Sequence, residues 1–419
     1  MIRTRILSLC LPLLVAVTGC GGGNSSRPSE DAGTRPLDLG LAFETLALPA
    51  PAGSAYPQLT SSPKGVVLSW LEQKEATTTL RFSERTAGGW SEARTVAAGD
   101  DWFVTSADVP SVLRTSDGAL VANWYPTTDA SIEAYDIRLS YSRDDGKTWA
   151  RPFSPHHDGT KTQHGFVSLI ELPSSGVGVV WLDGRDQELN KTDPLGGSMA
   201  FYFASFDTAW KQSAETLVNA RVCECCQTAA AVTSEGILTA FRDRSQQEIR
   251  DIKVSRLDNG AWTQETSLHD DNWKIDACPI NGPALSARGR QVAAAWFTAP
   301  NDNGRAFAAF SQDAGKTWSA PVRLDDAASL GRVDIELMDD GSAVASWVEF
   351  ADGRSRFKVR RVAASGSRSA AIEVPGAGRV SGYPRMTRLS DELVFAWSEG
   401  EGGPQLKGVV ARLSRATAP

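Results

Sequence analysis

The chain has 419 residues with 43 basic and 50 acidic side chains, a formal net charge of −7, 13 tryptophans, 6 cysteines and 4 histidines. A mildly acidic chain without basic clusters argues against nucleic acid and against anionic membrane surfaces as partners. With 41% apolar residues it is ample for one large core.

In chain order, Arg3 and Arg5 precede an apolar run, Ile6 to Val17, that is too short to span a membrane as a stable helix. Residues 1–19 therefore read as a signal peptide. The segment ends Val17-Thr18-Gly19-Cys20, which resembles a bacterial lipobox and implies that Cys20 is lipidated as the first mature residue. Residues 20–36, rich in Gly, Ser and Pro, read as a flexible linker. Gly21 after the cysteine is compatible with outer-membrane sorting. The expected location is the bacterial cell envelope, on the periplasmic side of the outer membrane, where disulfides are permitted.

From residue 37 onward a strand ending in an aromatic recurs: Val66 to Trp70, Leu120 to Trp124, Val177 to Trp181, Ile237 to Phe241, Val292 to Trp296, Ala343 to Trp347 and Leu393 to Trp397. The intervals between the aromatics are 54, 57, 60, 55, 51 and 50 residues. Each strand has a short strand before it and an alternating strand after it, and most units add a fourth. Seven four-strand meanders with no convincing helix predict an all-β, seven-bladed β-propeller over residues 37–419. Two stacked β-sandwiches fit the regular period less well. The last unit lacks a fourth strand, and Leu39 to Leu48 precedes the first unit as an orphan. That N-terminal strand is expected to close the ring by completing the seventh blade.

Two units carry the same turn, Ser142-Arg143-Asp144-Asp145-Gly146-Lys147-Thr148-Trp149 and Ser311-Gln312-Asp313-Ala314-Gly315-Lys316-Thr317-Trp318. Asp accepts bonds from the turn's own N–H groups, Gly supplies a positive φ, and Trp plugs the turn against the next strand. The pattern Ser-x-Asp-x-Gly-x-Thr-Trp resembles the Asp-box of the sialidase superfamily of β-propellers. Nearly the whole mature chain, from His156-His157-Asp158-Gly159-Thr160 through Cys223-Glu224-Cys225-Cys226, also resembles bacterial periplasmic propellers of sialidase-like type. Two features depart from sialidases: their propellers have six blades, and their Phe/Tyr-Arg-Ile-Pro motif near the N-terminus is absent.

Propeller topology sorts the loops. Asp-box turns fall on one face. The loops that enter each first strand and leave each second strand share the other, the top. All four histidines (His156, His157, His164, His269) and four cysteines (Cys223, Cys225, Cys226, Cys278) fall in top-face loops entering blades three to five. Charged loop residues are usually just solvated, but clustering on one face marks this patch as the candidate site. Aligning the turn glycines Gly236 and Gly289 puts Cys225 opposite Cys278, and Cys223 with Cys226 could close a small loop. Four cysteines allow three pairings, and sequence does not choose between them. Metal ligation by His156, His157, His164, Cys225 and Cys278 is the alternative, although the spacing matches no standard zinc pattern.

The sialidase resemblance implies an arginine triad on a carboxylate, a Tyr–Glu nucleophile pair and an Asp acid/base. Arg185, Arg242 or Arg244, and Arg385 are the candidate arginines, with His164 as a further ligand contact. Tyr383 is the candidate nucleophile, Glu399 its partner, and Asp183 and Asp158 the candidate acids. The expectation is a monomer, without a cofactor, that acts as an exo-α-sialidase-type hydrolase or binds an acidic glycan or other small anion. A non-catalytic binding or assembly module and a metal-binding protein are the alternatives.

Overall fold

The computed structural model describes residues 37–187, 198–400 and 403–413. The expected signal peptide (1–19), Cys20 and the linker to residue 36 lie outside the described residues. Seven sheets follow one another as antiparallel meanders. Their innermost strands are Ser54–Ser61, Val112–Arg114, His164–Glu171, Ala229–Thr233, Ala284–Arg288, Ala328–Leu337 and Val380–Leu389. Leu41–Thr45 pairs antiparallel with Gln405–Leu413, Leu41 opposite Leu413 and Thr45 opposite Val409, so the orphan strand completes the seventh blade as expected. The chain is a seven-bladed β-propeller, and the described residues hold one short 3₁₀ turn, Pro300–Asp302, as their helix.

Face-to-face packing of blades explains the sequence of the second strands. Val177–Asp183 and Leu120–Trp124 are buried at every position, because a neighbouring sheet covers each side. The core therefore lies in layers between blades. One layer runs from Ala293 and Phe310 in blade five to Ile335 and Trp347 in blade six. Trp70, Trp181, Trp296, Trp347 and Trp397 are fully buried, and each contributes roughly 4–6 kcal/mol of apolar burial.

The two Asp-box turns superimpose in their bonding. Asp144 accepts from Thr148 N (2.9 Å), Thr148 Oγ1 (2.7 Å) and Ser142 Oγ (2.8 Å). Asp313 accepts from Thr317 N (2.9 Å), Thr317 Oγ1 (2.7 Å) and Ser311 Oγ (2.8 Å). Gly146 and Gly315 sit at φ 79° and 83° and pack on Phe82 and Leu238 of the preceding blade. These turns join third to fourth strands, and so lie on the face away from the loops that begin the inner strands.

Four inner strands break register near their start, between Ala55 and Gln58, Gly165 and Ser168, Gly331 and Asp334, and Ser381 and Arg385. Each break holds a left-handed residue: Tyr56, Phe166, Arg332 or Gly382. A bulge re-aims the side chains beside it, and here it lets each strand take a bond from its neighbour. Asp108 accepts the Phe166 N–H (2.8 Å), and Asn281 accepts the Arg332 N–H (2.8 Å). Gly165 and Gly331 make room for these contacts, since a Cβ at either would collide with the Asp108 carboxylate or the Asn281 amide.

Candidate functional site

The inner strands of all seven blades enclose an axial cavity of about 240 Å³, whose wall includes Gln58, Asp108, Gln227, Asp334, Glu336 and Arg385. Arg385 of the wall and Arg332 both bring their guanidinium groups to the Tyr383 ring, each 5.7 Å from its centre. The Tyr383 hydroxyl donates to the Ile280 carbonyl. Burial pushes its pKa up to about 12, against the hydrogen bond from Gln227. Gln227 is itself fixed, donating to Ala107 O (2.8 Å) and accepting from Gly282 N (2.9 Å). Among the described residues neither Arg332 nor Arg385 has a carboxylate within ion-pair distance, and the buried Nε of Arg385 has no hydrogen-bond partner.

The carboxyls of the channel wall are held back from ionising. Burial pushes Asp108 up to about 7, against hydrogen bonds from Tyr125, Phe166 and Tyr135. Burial, with Asp334 nearby, pushes Glu336 up to about 7. Asp334 is raised as well, by burial, although it lies near Arg385 and accepts the Met386 N–H at 2.8 Å. A cavity whose wall carries Arg385, without a carboxylate at ion-pair distance, beside protonatable acids combines anion binding with proton donation near neutral pH.

The rim over blades two to five differs. Arg185 clamps Asp183 through Nε (2.8 Å) and Nη2 (2.7 Å), pairs with Glu215 at 2.6 Å and stacks over Tyr202. Arg242 is 1% exposed and donates to the carbonyls of Asn281, Arg250 and Phe297. Arg244, fully buried, pairs with Glu224 and Glu248. The arginines expected to converge thus share no described partner with Arg385, because each on the rim is held by its own blade.

Asp183 and Glu399 belong to a repeated scaffold device. In four blades an acid two residues after the buried tryptophan accepts its indole N–H: Trp70 to Glu72 (2.9 Å), Trp181 to Asp183 (2.8 Å), Trp347 to Glu349 (3.0 Å) and Trp397 to Glu399 (2.9 Å). Glu399 also accepts from Gly378 N (2.7 Å), and no described hydrogen bond joins it to Tyr383. The recurring Trp-x-Asp/Glu was visible in the sequence and could have marked both acids as structural.

Asp158, His156 and His164 meet between blades two and three. The imidazoles are stacked, centres 3.9 Å apart and planes within 1°. His157 turns outward and meets Glu215 at 3.0 Å. Between blades four and five, a disulfide joins Cys225 to Cys278, whereas Cys223 and Cys226 are buried free thiols rather than the second bridge envisaged. Cys223 Sγ lies 3.7 Å from Cys225 Sγ and 3.5 Å from Arg250 Nη1. Burial opposes ionisation of Cys223, but the Cys226 hydrogen bond and the Arg242 and Arg250 charges bring its pKa below the usual thiol value. With its sulfurs joined, the Cys225–Cys278 pair offers no thiolate to a metal shared with the histidines.

Asp108, Gln227, Arg332, Asp334 and Glu336 were missed by the sequence reading. Arg332, Asp334 and Glu336 alternate along Ala328–Leu337, a weak signal without the bulge that aims them, and Asp108 and Gln227 lie in the loops just before their strands.

The fold and channel define a seven-bladed propeller with a polar, partly unsatisfied axial cavity. Neither a protein-family model nor a curated protein matches the sequence. Among solved structures, polysaccharide lyase Uly1 is similar with a TM-score of 0.53 and 11% identity, over 88% of this chain and 91% of that one. A Dyadobacter fermentans protein of unknown function is similar with a TM-score of 0.51 and 12% identity, over 89% and 99%. The NanB sialidase from Streptococcus pneumoniae gives 0.46 and 10% identity, over 89% and 94%. At these identities the likeness concerns the fold.

Proposed function

We propose that this propeller acts on an acidic glycan at the mouth of its axial channel. The observation that carries the proposal is the pair of guanidinium groups, Arg332 and Arg385, that share the Tyr383 ring and have no carboxylate within ion-pair distance among the described residues. Guanidinium binds carboxylate through paired N–H donors, and a half-buried site strengthens that bond. A terminal sugar acid held there would place its glycosidic oxygen toward the channel wall, where Asp108 is a proton source near neutral pH. The likeness in fold to a polysaccharide lyase supports a glycan as ligand.

Within this reading, exo-α-sialidase-type hydrolysis is the specific activity to assay. With its pKa pushed up to about 12 and its hydroxyl proton donated to the Ile280 carbonyl, Tyr383 stays neutral and carries the two guanidinium groups beside its ring until a base reaches it. Release of fluorophore from fluorogenic sialosides by the purified protein, lost in Arg385→Ala and Asp108→Asn, is the expected result. Equal release by both variants would remove the assignment. A protein that binds acidic oligosaccharides without cleaving them would keep the site and reduce the function to recognition.

The proposal extends to location. Lipid on Cys20 and the linker to residue 36 would tether the propeller at the periplasmic side of the outer membrane. Cys20→Ala is expected to move the protein from the membrane fraction to the soluble periplasm; unchanged partition would contradict it.

A further inference from the structure

We propose that Cys223 is an internal nucleophile that exchanges with the Cys225–Cys278 disulfide, opening the bridge between blades four and five and delivering a thiol to the surface at Cys278. The exchange is independent of the channel reading. Cys223 Sγ lies 3.7 Å from Cys225 Sγ, and the sulfurs of Cys223, Cys225 and Cys226 fall within 4.8 Å of one another. For a bond of about 2.05 Å to form between Cys223 and Cys225, their sulfurs close by roughly 1.7 Å.

A buried cysteine is ordinarily inert. Cys223 is 1% exposed, but its sulfur faces a guanidinium group, with Arg250 Nη1 at 3.5 Å. That guanidinium is fixed, Nη1 donating also to Glu224 Oε2 at 2.9 Å and Nη2 to Glu248 Oε2 at 3.0 Å. The backbone of Cys223 is fixed as well, its N–H donating to the Arg242 carbonyl at 2.9 Å. A held cation favours the thiolate, which is the species that attacks a disulfide. Burial opposes that form, but the Cys226 hydrogen bond and the Arg242 and Arg250 charges outweigh it.

The step balances without an oxidant or reductant. Cys223 loses its proton to water and its sulfur attacks Cys225 Sγ. The Cys223–Cys225 bond forms, the Cys225–Cys278 bond breaks, and the electron pair goes to Cys278 Sγ. Cys278 is exposed, so water stabilises the leaving thiolate and returns the proton. One thiol and one disulfide stand on each side. The exchange also unties the loop before Asn281. Ile280 sits there at φ 49°, costly for a β-branched side chain, and its carbonyl accepts the Tyr383 hydroxyl. Asn281 stays anchored by Arg242 Nε at 2.8 Å and by the Arg332 N–H. The bond to Tyr383 is therefore the one that the exchange loosens, and this consequence alone rests on the channel reading.

The test is alkylation of the intact, non-reduced protein with excess N-ethylmaleimide, followed by acid quenching, tryptic digestion and mass mapping. Cys223, Cys225 and Cys226 share the tryptic peptide 222–242, and Cys278 lies in 275–288. The resting bridge therefore joins two peptides, and the exchanged one leaves them separate. The expected result is label accumulating on Cys278 with a Cys223–Cys225 bridge inside peptide 222–242, and labelling of Cys278 slowed at least about tenfold in Cys223→Ser. Cys223→Ala takes its place if the serine variant fails to fold, and the wild-type map decides if neither folds. Peptides that stay joined throughout labelling of the wild type, or equal labelling of Cys278 in a folded Cys223 variant, would overturn the proposal. Failure of glycan binding leaves both readouts unchanged, so the two readings fail separately.

Discussion

Arginines on the rim over blades three to five are each closed into the protein, by Asp183 and Glu215, by three carbonyls, or by Glu224 and Glu248. Arg332 and Arg385 have no carboxylate at ion-pair distance among the described residues: both approach the Tyr383 ring, and the Nε of Arg385 has no hydrogen-bond partner. The difference teaches how to read a crowded surface. A dense run of charged loop residues is as often a set of internal ties as a ligand site, and what separates the two is whether the bonds are already made.

The comparison breaks most visibly through stability. Arg242→Ala should destabilise the fold by about 3–5 kcal/mol in denaturant unfolding, because three carbonyls lose their donor and the packing on Trp273 goes with it. Arg385→Ala should leave stability within about 1 kcal/mol, yet lower affinity for an acidic oligosaccharide by roughly 10–100-fold, the worth of a charge-assisted bond. A rim variant that unfolds nothing, or a channel variant that unfolds the protein, would erase the distinction.

The pH dependence sharpens it further. Asp108 and Glu336 are raised to about 7 in the folded protein. Their contribution to stability is therefore fully present below the ordinary carboxylate pKa and is lost as pH rises from about 4 through 7. Unfolding free energy should fall across that window, and Asp108→Asn should flatten the fall and stabilise the protein at pH 8 by about 1–2 kcal/mol. A wild-type profile that rises between pH 5 and 7 would contradict the assigned burial. On the opposite face, Gly315→Ala should cost about 1–2 kcal/mol, since φ is 83° and a Cβ would press on Leu238, and should leave glycan binding unchanged.

Much of the fold was legible because it is periodic. Buried aromatics at intervals of 50–60 residues, the two Asp-box turns and the missing fourth strand of blade seven each reflect a packing need repeated around the ring. Cys225 with Cys278 was legible for the same reason, as the two lie at equal distance before their turn glycines. The channel was not. Tyr383 and Arg385 could be placed near a strand start, but Asp108 reaches the axis from the loop before Val112–Arg114, and Arg332 sits at a positive φ inside a register break, neither of which an alternation pattern encodes. Asp183 and Glu399 drew attention as isolated acids, where comparison with Glu72 and Glu349 would have tied all four to their tryptophans.

The most direct measurement is a titration of one acidic oligosaccharide and its neutral analogue into wild type, Arg332→Ala and Arg385→Ala. The predicted result is one site for the acidic ligand, no binding of the neutral one, and loss of at least about tenfold in affinity in both variants. Equal affinity for the two ligands, or wild-type affinity in Arg385→Ala, would contradict the channel as the functional site.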